Sequence, residues 1–169
     1  LDVSGLSPRD ARLANTIDRE VTIRWSTLRT VLEPRLNQPW DQQQPAVKAA
    51  LMGGAAQLLF MDRVPDHAVI GESVGWCKTT TAARASGVVN AVLRKVAKLR
   101  VEKLEKADPT NPAHLVRNDG TGWRLGEPIF AGEPERRITR QTGCGAGFLK
   151  EITRTDSAAE ATRLALHAM

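Results

Sequence analysis

Apolar residues at Leu13, Ile17, Val21, Trp25, Leu28 and Leu32 repeat at the three- and four-residue spacing of one helical face. Ser7-Pro8-Arg9-Asp10 supplies a start for that helix. Ser7 is the cap, Pro8 suits the first helical position and Asp10 suits the positive end of the dipole. The spacing predicts one helix from Ser7 to about Leu32, ended by Pro34. A polar loop over 37–44 follows, and Pro45 opens a second helix. That helix is apolar on nearly every side from Ala46 to Met61, the pattern of a buried helix. A third is predicted over 67–78, with Asp66 as its cap and Thr79-Thr80-Thr81 as its end. A fourth runs over 82–106, with Val88, Val92, Val96 and Leu99 on its apolar face.

Beyond Asp108-Pro109 the periodicity fades and Gly, Pro, Asn and Asp punctuate the chain. Leu115-Val116-Arg117 and Trp123-Arg124-Leu125 flank Asn118-Asp119-Gly120-Thr121-Gly122, which predicts a short β-hairpin. Ser157-Ala158-Ala159-Glu160 has the form of a capping box opening a terminal helix to Met169. The expected organisation is a helical domain over 1–106 and a loop-rich extension over 107–169.

Composition narrows this picture. The 169 residues are ample for a core without metals or disulfides, and with 4% aromatics and no tyrosine that core must be aliphatic. No run of apolar residues is long enough to span a membrane, and the first residues lack the basic and apolar regions of a signal peptide. The chain does not begin with Met, so the expectation is a fragment or a processed chain. Cys77 and Cys144 suit a reducing cytoplasm, the expected location. No pair of Cys or His residues has the short spacing of a zinc site.

The net charge of +5 sharpens the functional expectation. Residues 84–106 hold seven Lys/Arg and two Asp/Glu, while the rest of the chain carries 17 charges of each sign. On a helical wheel Arg84, Arg94, Lys95 and Lys98 share an arc of roughly 100°. Glu102 and Glu105 share the arc further along, so the positive patch belongs to the first half of the helix. Clustered cations of this kind bind phosphate backbones. Arg9 and Arg12 are candidates to extend the patch.

Among the remaining polar residues, His67 is expected to bond a nearby backbone carbonyl. Asn90, within an apolar run, is expected to be at least half-buried and to bond backbone at a neighbouring helix end. Cys77 has the setting of a small buried hydrophobe. The run Gly143-Cys144-Gly145-Ala146-Gly147 lacks a preceding buried strand and a following βαβ unit. It is therefore expected to be a helix-breaking turn, not a cofactor loop.

Three blocks carry a resemblance: Leu6 to Ala14 with Arg24-Trp25, Gln57 to Val74, and Ala85 to Lys95. Their order and spacing resemble the NusB-like domain, in the version at the N-terminus of Sun/Fmu-type ribosomal RNA cytosine-5 methyltransferases. Pro65, His67, Glu72 and Asn90 are the motif residues that carry it. Leu125, Pro128, Phe130, Pro134 and Arg137 resemble the connector to the catalytic domain of such enzymes. The resemblance implies an all-α, NusB-like helical bundle with a loop-rich C-terminal extension. It implies ribosomal RNA as partner, together with the protein's own catalytic domain, and a small ribosomal protein if the chain acts alone as an antitermination factor. It implies S-adenosylmethionine for the parent enzyme and no cofactor or catalytic residue in this chain, because neither cysteine sits in a Pro-Cys or Thr-Cys motif. This chain departs from the family in having Gly71 where Asn is usual, and in lacking an arginine-rich helix before Leu6.

Overall fold

The computed structural model describes residues 3–145 and the positions 147, 151, 164 and 165. Its elements are α1 (Pro8–Ile23), α2 (Trp25–Leu32), α3 (Pro45–Phe60), α4 (Asp66–Lys78), α5 (Ser86–Leu99), β1 (Arg100–Leu104), β2 (His114–Val116), β3 (Gly122–Leu125) and α6 (Pro134–Thr142). Ser7 caps α1 as its residue type requires, its Oγ accepting from the Asp10 N–H at 3.2 Å. The all-round apolar α3 is the central helix and packs on α1, α2, α4 and α5. Leu51, Ala55, Ala56 and Leu59 on it are fully buried. Gly54 lets α5 come close, because a Cβ there would lie 2.6 Å from Leu93 Cδ1 and 2.9 Å from Ser73 Oγ.

The helical bundle is as expected, but several boundaries differ. The first predicted helix breaks at Arg24, whose φ of −103° and ψ of 16° leave the helical region. Arg24 is buried, and its guanidinium reaches Val116 O at 3.0 Å, Asn118 Oδ1 and the face of Phe60. The chain bends where that side chain must enter the core. The last long helix stops at Leu99, not Lys106. Arg100–Leu104 extends into β1 because β3 offers it a ladder, pairing Lys103 with Trp123 and Leu104 with Gly122. Asp66 is the first residue of α4 and not its cap; its carboxylate pairs with Arg100. Leu13, Trp25 and Val88, expected on apolar faces, are exposed. The buried face of α5 is Val89, Val92, Leu93, Val96 and Leu99.

The predicted hairpin is present, with Leu115 opposite Trp123 and Val116 opposite Gly122. With β1 it makes an antiparallel sheet in the order β1-β3-β2. A boundary drawn between residues 106 and 107 thus falls within one sheet. Leu115, Leu125 and Phe130 join the same buried cluster as α2–α5. The polar helix α6 follows, unmarked by any apolar repeat, and lies against α2. Gln141 anchors it by donating to Asn111 O and His114 O. It ends at Gly143, with φ +77°, where a Cβ would run into the Ile23 carbonyl oxygen. The capping box expected at 157–160 lies outside the described residues.

Candidate nucleic-acid interface

The excess charge of residues 84–106 divides into two groups by environment. Arg100 pairs with Asp66, and Lys103 with Asp62 at 2.8 Å, so both belong to the scaffold. Arg94, Lys95 and Lys98 stand exposed on α5, and among the described residues no carboxylate lies within ion-pair distance of them. With the helix ending at Leu99, Glu102 and Glu105 leave the shared arc. They sit on β1 and just beyond it, and Glu102 pairs with Arg124 at 2.9 Å. The helical face is therefore more purely basic than the sequence pattern predicts.

Lys98 stands between two depressions. One, of about 380 Å³, lies between α4 and α5 and is bordered by His67, Gly71, Asn90, Arg94 and Lys98. The other, of about 390 Å³, brings Lys95 and Lys98 beside Pro34, Arg35 and Glu127. Arg35 is itself committed, donating to Val31 O at 2.6 Å and pairing with Glu127 at 3.3 Å.

The other expected site residues fall elsewhere. Arg84 is exposed in a 3-10 turn, Ala83–Ala85, ahead of α5, and borders neither depression. Arg9 and Arg12 are exposed on α1, a helix seated on α2 and α3. His67 does not bond a backbone carbonyl: it is exposed near the start of α4, with no hydrogen bond among the described residues. Asn90 is half-buried as expected, yet its Oδ1 accepts from Arg94 Nε at 3.1 Å within α5, not from a neighbouring helix end. Pro65 immediately precedes α4, and Glu72 is exposed on it.

Neither cysteine has the setting of a nucleophile. Cys77 is buried and its thiol faces Ala82 O at 3.5 Å. Burial pushes the Cys144 thiol up, which disfavours its thiolate. Gly143, the first residue of the glycine run, ends α6 and is packed against Ile23.

The residues the sequence pattern did not single out are the buried arginines. Burial pushes Arg24 down to about 10, against the pull of Glu20 at 3.8 Å, so it remains cationic at neutral pH. Arg117 forks onto both oxygens of Asp62 and also donates to Leu59 O at 2.9 Å. These cations hold the scaffold together and leave α5 to present the free ones. An odd cation inside an apolar stretch, as at Arg24, is the one local sign of such a role.

The NusB family model matches residues 1–98. The transcription antitermination protein NusB of Rhodospirillum rubrum is 31% identical over 99 residues, 57% of this chain and 54% of that protein. The ribosomal RNA small subunit methyltransferase B of Pseudomonas syringae pv. tomato is 40% identical over 74 residues, 43% of this chain and 16% of that protein. The protein of the same name from Xanthomonas campestris is 35% identical over 88 residues, 52% and 20% of the two chains. The chain thus spans about half the length of the first relative and a fifth or less of the others. No solved structure matches it.

Proposed function

The chain belongs to the NusB family, and from that premise we propose that it is an RNA-binding, substrate-recognition module of an S-adenosylmethionine-dependent ribosomal RNA cytosine-5 methyltransferase. The observation that carries RNA binding is the row Arg94, Lys95 and Lys98, exposed and without carboxylate partners among the described residues. Such a row attracts phosphates and releases their counterions. The parent enzyme is supported by relatives named ribosomal RNA small subunit methyltransferase B, of which this chain covers the share that one module would. In this reading the catalytic domain and the cofactor belong to the rest of the parent protein, which works in the cytoplasm. The module supplies binding and orientation, and none of its residues takes part in the chemistry.

A second reading is favoured by one observation, the match over more than half of the Rhodospirillum rubrum antitermination protein. There the same face would hold RNA jointly with a small ribosomal protein.

Fluorescence anisotropy with a fragment of small-subunit ribosomal RNA tests the proposal. Affinity should fall steeply with salt. Replacing Arg94, Lys95 and Lys98 together by Ala should weaken binding and lower the log–log salt slope by about two to three, roughly 0.7–0.9 per lost phosphate contact. RNA affinity indifferent to salt, or to the triple substitution, would sink it. Affinity that arises only after a small ribosomal protein is added would favour the second reading.

A further inference from the structure

We propose that the depression between α4 and α5 is a base pocket. It takes one unstacked nucleobase of single-stranded RNA, whose flanking phosphate rests on Arg94 and Lys98. The inference deepens the RNA-binding proposal above and rests on it.

The size of the depression points to a single small group. Its 380 Å³ lies at the low end of small-molecule sites, about 300–1,000 Å³. Its walls are apolar where a heterocycle would lie flat, formed by Ile70 and Val74 of α4 and Ala97 of α5. Gly71 borders it without a side chain, and a Cβ there would meet nothing within 4 Å.

Its polar groups are arranged for a base and a phosphate together. The Asn90 Oδ1 is held by Arg94 Nε at 3.1 Å, which fixes the amide plane. The amide N–H donors have no protein acceptor among the described residues, so they are free to read a base edge. His67, exposed at the mouth and equally without a hydrogen bond there, offers a ring on which a base can stack. Asp66 would repel a phosphate, but its carboxylate is engaged by Arg100. Arg94 and Lys98 are then the uncompensated charges at the rim, complementary to the RNA backbone.

A base inside a duplex is stacked and paired, and cannot enter such a pocket. The pocket thus predicts a preference for single strands, which the basic row alone would not confer.

Gly71→Leu is the decisive variant, because it places a bulky side chain at the border of the pocket from a position where a Cβ meets nothing within 4 Å. Leu is also the better helix former, so the fold should hold or gain stability, as circular dichroism would register. Anisotropy would be measured with a short single-stranded RNA of mixed sequence and with its duplex. The unaltered protein should prefer the single strand. Gly71→Leu should weaken single-strand binding about tenfold, the worth of one stacked base, and leave duplex binding and the salt slope unchanged. Asn90→Ala, which removes the amide and leaves the pocket open, should lose several-fold on the single strand alone. Salt-sensitive RNA binding that ignores strandedness and both substitutions would overturn the pocket and leave the RNA-binding proposal standing. Failure of the unaltered protein to bind either RNA would overturn both.

Discussion

Asp62 receives three charged hydrogen bonds at the turn between α3 and α4. Two come from the Arg117 fork, at 2.8 and 2.9 Å, and one from Lys103 Nζ at 2.8 Å. The Arg117 hydrogen bond, aided by Lys103 and opposed by partial burial, holds its carboxyl well below the usual carboxylate range. A depressed carboxylate contributes stability that is present above the unfolded-state pKa, about 4, and is lost as pH falls through the folded value. Asp62 is 41% exposed, so solvent screening trims the contribution to about 1 kcal/mol at neutral pH. Asp62→Asn should therefore be less stable than the unaltered protein at pH 7, with the gap closing as pH drops below about 4. Urea midpoints taken across that range would check it, and a gap that stayed constant would remove the ion cluster as the cause.

At the scale of elements, the helices that follow from local chemistry were legible and those shaped by distant partners were not. Ser7 and Pro8 mark the start of α1, Pro45 marks α3, and the Asn118–Gly122 turn marks the hairpin, all within a few residues of the feature they set. The break at Arg24 was not legible, because the apolar spacing runs straight through it and its cause lies at Val116 and Asn118. The strand at β1 was hidden for the same reason, since its partner β3 is some twenty residues downstream. The basic row was legible because it is a spacing within one helix. The depression beside it was not, since its lining comes from two helices, α4 and α5. Gly54 shows how tightly the elements are set. Ala would be the better helix former by about 1 kcal/mol, but its Cβ would press on the fully buried Leu93 and on Ser73. Overpacking of this kind costs about 1–3 kcal/mol, so Gly54→Ala should be net destabilising. A Leu93→Ala change should relieve the clash, making the double variant more stable than the sum of the two single effects by urea unfolding.

At the scale of the molecule, the helices and the extension share one core. Leu115, Leu125 and Phe130 from the extension are each no more than 2% exposed and lie in the same cluster as Leu28, Leu58 and Val96. Burying a side chain of that size contributes about 1.5–3 kcal/mol, so the three together are comparable with the entire net stability of an ordinary domain, about 5–15 kcal/mol. The polar links run the same way. Arg117 ties the strand region to Leu59 O and Asp62, and Arg24 ties the α1–α2 bend to Val116 O. A chain ending at residue 106 would expose the part of the shared core that these three side chains fill, and would leave β1 without its partner strand. The whole chain should therefore unfold in one cooperative transition over the core it shares. The 1–106 chain should show a lower, broadened urea transition by circular dichroism, with exposed apolar surface that binds a hydrophobic dye. An unchanged midpoint for 1–106 would mean that the helices stand alone and that the extension is only attached to them. If the midpoint falls as expected, the extension is part of what holds α5 in place, and with it the basic row and the pocket beside it.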